Sequence, residues 1–486
     1  MPDEETKKPE STTPETTAPA KEEPAPVKTQ HTLSLGRGKK LNYTATAGRM
    51  AMKNAQGETE AHIYFTAYTL DGVSDVAKRP LTFVFNGGPG SASVWLHLGA
   101  LGPQRVKMHD EGWMPTPPFV LEPNPNTWLD QTDLVFVDPV GTGYSRATKP
   151  DHNKKFWGLK GDLESVGEFI RLYLVQNGRW TSPLFLAGES YGTTRSAGLA
   201  GHLINKGIAF NGIILISTVL NFQTLHFDRG NDLPHSVYLP TYAATAWYHG
   251  KLAPELQKRP LKDVLREVED YAATDYTVAL MKGDRLTAAE RAAVVQKVAA
   301  YTGLSPEYVD LTNLRVDIMR FCKELLRAQR LTVGRLDSRF KAEDATPVSE
   351  MFEFDPSMTA IMPPYTSMFN AYARGTLKYE SEVEYQALSF EVNQNWEYDK
   401  GQYPDTSDML RSAFAKNPHM RLFVAQGYYD LATPHFAAEY TLNHMDLPST
   451  ARDNITWAYY EAGHMFYLDV KSLAQFRKDL TPFLKV

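Results

Sequence analysis

Short apolar runs bounded by glycine and proline recur along the first half of the chain and return near its end. Residues 40–45 and 62–68 alternate between apolar and polar side chains, with turn-forming residues 54–57 between them. Alternation with a period of two is typical of half-buried strands, so antiparallel strands are predicted to lead into the fold. Continuous apolar runs with the length of fully buried strands lie at 80–85, 133–138, 183–187, 212–217, 420–426 and 454–460.

Helical spacing separates these runs and dominates the middle of the chain. One helix face is predicted by apolar residues at intervals of three and four, namely Leu163, Val166, Ile170 and Tyr173. Between about 220 and 410 helical patterns prevail, at 261–270, 287–295 and 316–326. The aromatic segments 363–369 and 395–398 are predicted to be loops between those helices. This middle part is interpreted as a helical cap that roofs a site and excludes water from it.

Composition excludes several classes of function. The 486 residues carry a formal net charge of −6, whereas nucleic-acid surfaces show a basic excess, so no nucleic-acid partner is expected. No apolar run approaches the length of a membrane span. The single cysteine, Cys322, excludes an intrachain disulfide and a thiolate metal cluster, and it is interpreted as a small buried hydrophobe. Neither a metal nor another cofactor is expected.

The first 30 residues are rich in proline, glutamate, threonine, lysine and alanine. Such a segment buries too little apolar surface to fold, so residues 1–30 are predicted to be a disordered tail. No apolar signal segment follows Met1. Two interpretations stay open, of which the first is favoured: a periplasmic or secreted protein whose signal was removed ahead of this spacer, or a cytoplasmic protein.

The candidate chemistry centres on residues 188–192, Gly-Glu-Ser-Tyr-Gly, between an apolar run and a helical stretch rich in alanine and glycine. This is the context of a nucleophile elbow, in which a strained strand-to-helix turn exposes a serine above the sheet. Small residues two positions before and after the serine let strand and helix approach closely. The N-terminal N–H groups of the helix then point at the reacting atoms. Ser190 is the candidate nucleophile.

Other strand ends carry groups that complete such a site. The run 80–85 leads into a glycine-rich loop whose place matches the oxyanion loop of α/β-hydrolases, so Gly88 is a candidate donor. Asp430 and His464 each follow a late apolar run, and the chain order serine, aspartate, histidine is that of an α/β-hydrolase. Asp138 also follows a strand, and it is predicted either to join the site or to cap its own loop.

These features together predict an α/β-hydrolase fold, with a mixed and mostly parallel sheet, helices on both faces and a mainly helical cap insertion. The core is predicted to comprise residues 31–220, with the elbow, and residues 411–486, with the aspartate and histidine. Residues 221–410 form the predicted cap.

Four motifs, at 86–91, 138–145, 188–192 and 462–465, together resemble the serine carboxypeptidase family of the carboxypeptidase Y type, and a bacterial member is expected. The resemblance covers roughly residues 75–220 and 420–470, and it carries nothing across for the cap. It implies a peptidase that releases C-terminal residues through an acyl-enzyme intermediate, with a peptide bearing a free C-terminus as its partner.

The resemblance also implies a role for individual residues. It implies a catalytic triad of Ser190, Asp430 and His464, with the N–H groups of Gly88 and Tyr191 as the oxyanion hole. The substrate-binding residues that it implies are Asn86, Gly87, Glu189 and Met465. Asn86 and Glu189 would grip the free C-terminal carboxylate of the substrate. A carboxylic acid donates such a hydrogen bond only when protonated, which accounts for the acidic preference of the family.

The chain departs from the family pattern at two further positions near these residues. Val84 replaces a tryptophan, and Ala100 replaces the glutamate that partners Glu189. Because neighbouring carboxyls raise the pKa of one another, loss of this partner predicts weaker carboxylate recognition or a different device for it, and a less acidic optimum. Arg195, one turn into the elbow helix, is predicted either to neutralise a carboxylate or to pair with structural acids.

Three functions stay open on the sequence. The leading one is an exopeptidase that removes single residues from peptide C-termini. The second is an esterase or acyltransferase, because a triad and an oxyanion hole serve any acyl transfer. The third, a non-catalytic binding protein, is disfavoured by the intact Ser190, Asp430 and His464. A metallohydrolase fits poorly because no H-E-x-x-H spacing occurs. The sequence does not indicate the side-chain preference, the physiological substrate or the oligomeric state.

Overall fold

A computed structural model describes residues 25–36, 38–398 and 402–485. Most of the tail predicted at residues 1–30 lies outside the described residues. The prediction of disorder is wrong for its last four residues, because the first strand begins at Val27. The strand pairs its backbone with residues 40–47, which requires no apolar composition. The described strands are β1 (Val27–Ser34), β2 (Lys40–Lys53), β3 (Thr59–Leu70), β4 (Leu81–Phe85), β5 (Gln104–Val106), β6 (Leu121–Pro123), β7 (Asp133–Val137), β8 (Arg146–Ala147), β9 (Leu184–Ser190), β10 (Gly212–Thr218), β11 (Leu331–Val333), β12 (Lys341–Glu343), β13 (Arg421–Gly427) and β14 (Ile455–Tyr460).

Helices connect these strands and fill the middle of the chain. The described α-helices are α1 (Val94–Leu96), α2 (Asn153–Phe156), α3 (Leu159–Gln176), α4 (Tyr191–Ile204), α5 (Leu233–Tyr248), α6 (Pro254–Gln257), α7 (Leu261–Tyr271), α8 (Thr277–Lys282), α9 (Ala288–Thr302), α10 (Pro306–Leu311), α11 (Ile318–Glu324), α12 (Pro356–Gly375), α13 (Phe390–Gln394), α14 (Ser407–Lys416), α15 (His435–Asn443), α16 (Ser449–Arg452) and α17 (Val470–Leu480). A π-helical turn, His97–Leu101, continues α1. Within the described part of the chain, no helix is both long enough and apolar enough to cross a bilayer.

The main sheet has the strand order β1-β2-β3-β7-β4-β9-β10-β13-β14. The pairs from β1 to β7 are antiparallel, as predicted for the leading strands, and every pair from β7 to β14 is parallel. The carboxyl ends of the parallel strands therefore meet along one edge of the sheet. That edge carries the residues that follow β4, β9, β13 and β14, where the candidate chemistry lies.

Helices cover both faces of this sheet. One face packs against α3, α4 and α14 and the other against α12 and α17, in two separate buried clusters. A third cluster joins α5 and α7–α11 to one another. The segment predicted as cap therefore supplies this separate helical layer and also α12 and the first turn of α14, which cover the sheet.

The prediction of a loop at 363–369 is wrong, because these residues lie inside the 20-residue helix α12. Proline in a helix interior removes a hydrogen-bond donor and usually ends the helix, which is why Pro363 and Pro364 suggested a loop. Burial offsets this cost. Tyr365, Phe369 and other large side chains of α12 pack into the core cluster on one face of the sheet.

Candidate active site

Ser190 sits at the apex of the turn between β9 and α4, with a φ of 58°. A positive φ is costly for any residue other than glycine, so the turn holds the serine under strain. A Cβ on Gly188 would collide with the carbonyl oxygen of Gly192, and one on Gly192 would lie 2.8 Å from the carbonyl oxygen of Phe85. Only glycine fits at these two positions, and the local geometry is that predicted for a nucleophile elbow.

Asp430 and His464 form a hydrogen-bonded pair at the ends of β13 and β14. The Nδ1 atom of His464 lies 2.7 Å from Oδ2 of Asp430. Thr433 donates its hydroxyl to the same Oδ2 at 2.8 Å, and the backbone N–H groups of Ala432 and Thr433 donate to Oδ1. A proton on Nδ1 completes the pair and leaves Nε2 of His464 free to act as a base.

The surroundings of His464 favour its protonated form. Burial alone would lower the pKa of the imidazole, but the charges of Asp430 and Glu189 and the bond to Asp430 raise it, and the net shift is above the ordinary value of 6.5. The backbone is fixed as well, since the His464 N–H donates to the carbonyl of Leu336 at 2.6 Å. The hydroxyl of Ser217 donates to the His464 carbonyl at 2.5 Å.

A cavity of about 200 Å³ brings the candidate residues together. Its lining includes Ser190, His464, Asn86, Gly87, Gly88, Glu189 and Met465. A Cβ on Gly87 would lie 2.5 Å from the Tyr191 nitrogen and 2.8 Å from Cβ of Ser190, so the loop after β4 packs directly on the elbow. The remaining wall is largely apolar and is formed by Trp95, Leu336, Met358, Ile361, Leu388 and Phe390.

Two polar groups in this cavity are placed to meet a carboxylate. Burial raises the pKa of Glu189 to about 7. Oδ1 of Asn86 accepts the N–H of Leu96 at 3.0 Å, which fixes the amide. Its Nδ2 is buried beside the carboxyl of Glu189, but within the described part of the chain it makes no well-formed hydrogen bond. A buried donor without a partner is costly, so this amide is suited to a bound acceptor.

A family model described as serine carboxypeptidase matches residues 38–477. The chain belongs to the serine carboxypeptidase family. It is similar to the serine carboxypeptidase-like 36 of Arabidopsis thaliana, with 27% identity over 192 residues, which cover 38% of this chain and 37% of that protein. The pheromone-processing carboxypeptidase KEX1 of Yarrowia lipolytica is 28% identical over 181 residues, which cover 34% of this chain and 27% of that protein. The matched segments thus span only about a third of these relatives.

A solved structure extends the likeness over the whole fold. The crystal structure of KEX1(delta)p, a prohormone-processing carboxypeptidase from Saccharomyces cerevisiae, has a TM-score of 0.57 and 16% identity, and the match covers 90% of each chain. At this identity the match shows the fold, an α/β-hydrolase with a mixed and mostly parallel sheet.

Two residues considered from the sequence have structural roles in this family member. Asp138 accepts the N–H of Ser93 at 2.8 Å and thereby holds the loop that leads into α1. Arg195 is fully buried and pairs with Asp162 at 2.8 Å, and it also donates to the carbonyl of Asn86 at 2.9 Å. Of the two alternatives for Arg195, the structure shows pairing with a structural acid.

Three residues at the site carried no signal in the sequence. Thr433 braces Asp430, and Arg335 lines the cavity from the long segment between β10 and β13. Tyr467, three residues after His464, donates its hydroxyl to Oε2 of Glu189 at 2.5 Å. Within the described residues no group of three or more His, Cys, Asp or Glu side chains is arranged to hold a metal ion.

Proposed function

We propose that this chain releases single amino acids from the C-termini of peptides through an acyl-enzyme intermediate. One observation carries the proposal: the strained Ser190 shares a small cavity with two groups suited to a carboxylate, Glu189 and Asn86. A peptide that places its terminal carboxylate on those groups brings its last amide bond next to the serine.

The triad residues have the following roles. Oγ of Ser190 attacks the carbonyl carbon of the last peptide bond while Nε2 of His464 takes the hydroxyl proton. Asp430 holds the imidazole and stabilises its charged form. His464 then gives the proton to the leaving amine, which departs as a free amino acid. Water repeats the sequence on the acyl-enzyme and releases the shortened peptide.

The negative charge that develops on the carbonyl oxygen meets two backbone donors. We assign these donors to the N–H groups of Gly88 and Tyr191, and the packing of Gly87 against the Tyr191 nitrogen supports this assignment. Loss of one such donor typically lowers the rate about 10²- to 10³-fold. Met465 and the apolar wall contact the substrate side chains.

The alternative function is an esterase or acyltransferase on the same scaffold. Ala100 favours it, because this family member lacks the second acid expected beside Glu189. The two functions differ in one requirement: the peptidase needs a free carboxylate on the leaving residue, and the esterase does not.

Release of the last residue from a blocked dipeptide with a free C-terminus, compared with its C-terminal amide, tests the proposal. We expect turnover of the free acid, far slower turnover of the amide, and loss of both in Ser190→Ala. Serine-dependent hydrolysis of a p-nitrophenyl ester with no release from the dipeptide between pH 4 and 8 would establish the esterase instead. Binding that Ser190→Ala leaves unchanged, with no turnover of any substrate, would indicate a binding protein.

A bacterial source and an exported location remain part of the proposal. They rest on the composition of residues 1–30, whose proline, threonine, alanine and glutamate are typical of spacers in exported bacterial proteins. Fractionation of the native host, with periplasmic and cytoplasmic markers, distinguishes export from a cytoplasmic location.

A further inference from the structure

The hydrogen bond between Tyr467 and Glu189 joins the neighbours of two triad residues. Glu189 directly precedes Ser190, and Tyr467 lies in the short turn Phe466–Leu468 that follows His464. Both side chains are buried, and the phenol oxygen lies 2.5 Å from Oε2. The bond is therefore shielded from water. A hydrogen bond to a charged group is strongest in such a water-free environment.

Tyr467 packs against the turn that carries Ala100, the position at which the resemblance places a second acid. A Cβ on Gly99, next to Ala100, would lie 2.9 Å from the Tyr467 ring and 2.7 Å from the hydroxyl of Tyr365. Two phenols thus pack against the turn in which the chain lacks the glutamate.

A phenol affects Glu189 differently from a second carboxyl. Burial raises the pKa of Tyr467 well above its ordinary value, so the hydroxyl keeps its proton. It donates that proton to Oε2, and a proton on Glu189 is therefore held on Oε1. Two carboxyls would share a proton and repel each other once both are ionised, but a phenol does neither.

The other groups around Glu189 act through their charge, apart from the amide of Asn86, which lies within hydrogen-bonding reach of the carboxyl. The charge of His464 favours the ionised carboxyl and that of Asp430 opposes it, and Asn86 lies beside it. Burial raises the pKa of Tyr365 in α12. The charge of Arg105 lowers this pKa and the charge of Glu189 raises it, so Tyr365 also lies near Glu189. Arg335 is a further charged residue in the cavity lining.

We propose that Tyr467 is a positioning residue for substrate recognition, which takes the place of the missing second acid and holds Glu189 so that Oε1 meets the C-terminal carboxylate of the substrate. This inference rests on the proposed function. The hydroxyl of Tyr467 should therefore affect only the turnover of substrates with a free carboxylate, because hydrolysis of an ester of the same peptide does not need the proton on Glu189.

Tyr467→Phe removes only the hydroxyl. With a blocked dipeptide bearing a free C-terminus we expect KM to rise about tenfold at pH 6 with kcat nearly unchanged, as for loss of one buried hydrogen bond. The alkaline limb of kcat/KM should move to higher pH, since the lost donor stabilised the ionised carboxyl. Turnover of the methyl ester of the same dipeptide should stay within about twofold, which also shows that the variant is folded.

Tyr459→Phe is the matched control, because this phenol donates to the carboxyl of Glu439 at 2.6 Å and does not line the cavity. It should change neither KM nor the alkaline limb. In a Glu189→Gln background, Tyr467→Phe should leave the pH profile unchanged, because no group titrates at that position.

Three results would overturn the inference. If Tyr467→Phe lowers peptide and ester turnover in parallel, the phenol has a structural role. An unchanged alkaline limb, with wild-type release of C-terminal residues intact, would show that Tyr467 does not act through Glu189. If the wild type releases no residue at any pH, the proposed function fails, and the inference fails with it.

Discussion

The carboxyl of Glu189 and the imidazole of His464 line the same cavity, and the charge on either group favours the charged form of the other. The proposed mechanism needs the opposite, a protonated Glu189 and a neutral His464. The charged pair and the neutral pair bind the same number of protons, so pH does not select between them. A carboxylate bound beside Glu189 does select, because it repels the ionised acid.

This coupling predicts different pH profiles for acids and esters. Burial raises the pKa of Glu189 to about 7, so activity on a free-acid peptide should fall as the pH rises through 7, when the acid loses its proton. Esters should show no such alkaline loss. Measurement of kcat/KM between pH 5 and 9 for a dipeptide and its methyl ester checks this, and identical alkaline limbs would contradict it.

Glu189→Gln should remove the alkaline limb on free-acid peptides, because an amide donates a hydrogen bond at every pH. The same change removes a charge that raises the pKa of His464, so the acid limb of ester hydrolysis should move to lower pH. The pH profile of the variant on both substrates tests the two effects together. An acid limb that stays in place would mean that the two groups do not interact.

Arg335 acts on His464 in the opposite direction. Its positive charge lowers the pKa of the imidazole, so Arg335→Gln should move the acid limb of ester hydrolysis to higher pH. Arg330→Gln is the matched control, since this exposed arginine in the same segment does not line the cavity. If Arg335→Gln and Arg330→Gln have the same pH profile of ester hydrolysis, Arg335 does not lower the pKa of His464.

Thr433→Val should lower kcat about tenfold on both peptide and ester, because it removes one hydrogen bond to the charged Asp430 and keeps the shape of the side chain. Thr441→Val serves as the control, since its buried hydroxyl donates to a helix carbonyl in α15 away from the cavity. Steady-state rates of peptide and ester hydrolysis at pH 7, measured for both variants, test this prediction. A selective loss on peptides alone would place Thr433 in carboxylate recognition instead.

Arg195→Met should destabilise the protein by about 3–5 kcal/mol, because it leaves the buried Asp162 without a partner. Arg171→Met breaks an exposed pair with Glu168 in α3 and should cost less than about 1 kcal/mol. Chemical denaturation of both variants measures the difference. Adding Asp162→Asn to Arg195→Met should restore part of the lost free energy of unfolding. If the double variant is less stable than Arg195→Met alone, the ion pair is not what stabilises this region.

The elements with the strongest local signals were predictable from the sequence. Strands β4, β7, β9 and β10 are short apolar runs with glycine or proline at their ends, and a fully buried parallel strand requires little else. The elbow was predictable because its glycines flank the serine at a fixed spacing, and a Cβ on Gly188 would collide with the carbonyl of Gly192 four residues later.

The features that the sequence did not predict depend on contacts between residues that are far apart in the chain. The helix at Pro363 and Pro364 forms because of the core that it covers, and local propensity opposes it. Nothing in the sequence around Tyr467 indicates that its hydroxyl meets a carboxyl 278 residues earlier. Arg335 reaches the cavity from a segment to which the motifs of the family do not extend.

In the proposed mechanism, the position of β13 and β14 at the end of the sheet determines when Ser190 becomes reactive. During synthesis the elbow emerges more than two hundred residues before Asp430 and His464, and N-terminal segments begin to fold first. A growing chain can therefore hold a strained serine without an acid or a base to activate it. In the proposed mechanism the nucleophile becomes competent only when the last two strands join the sheet, so an unfinished chain carries an inactive serine.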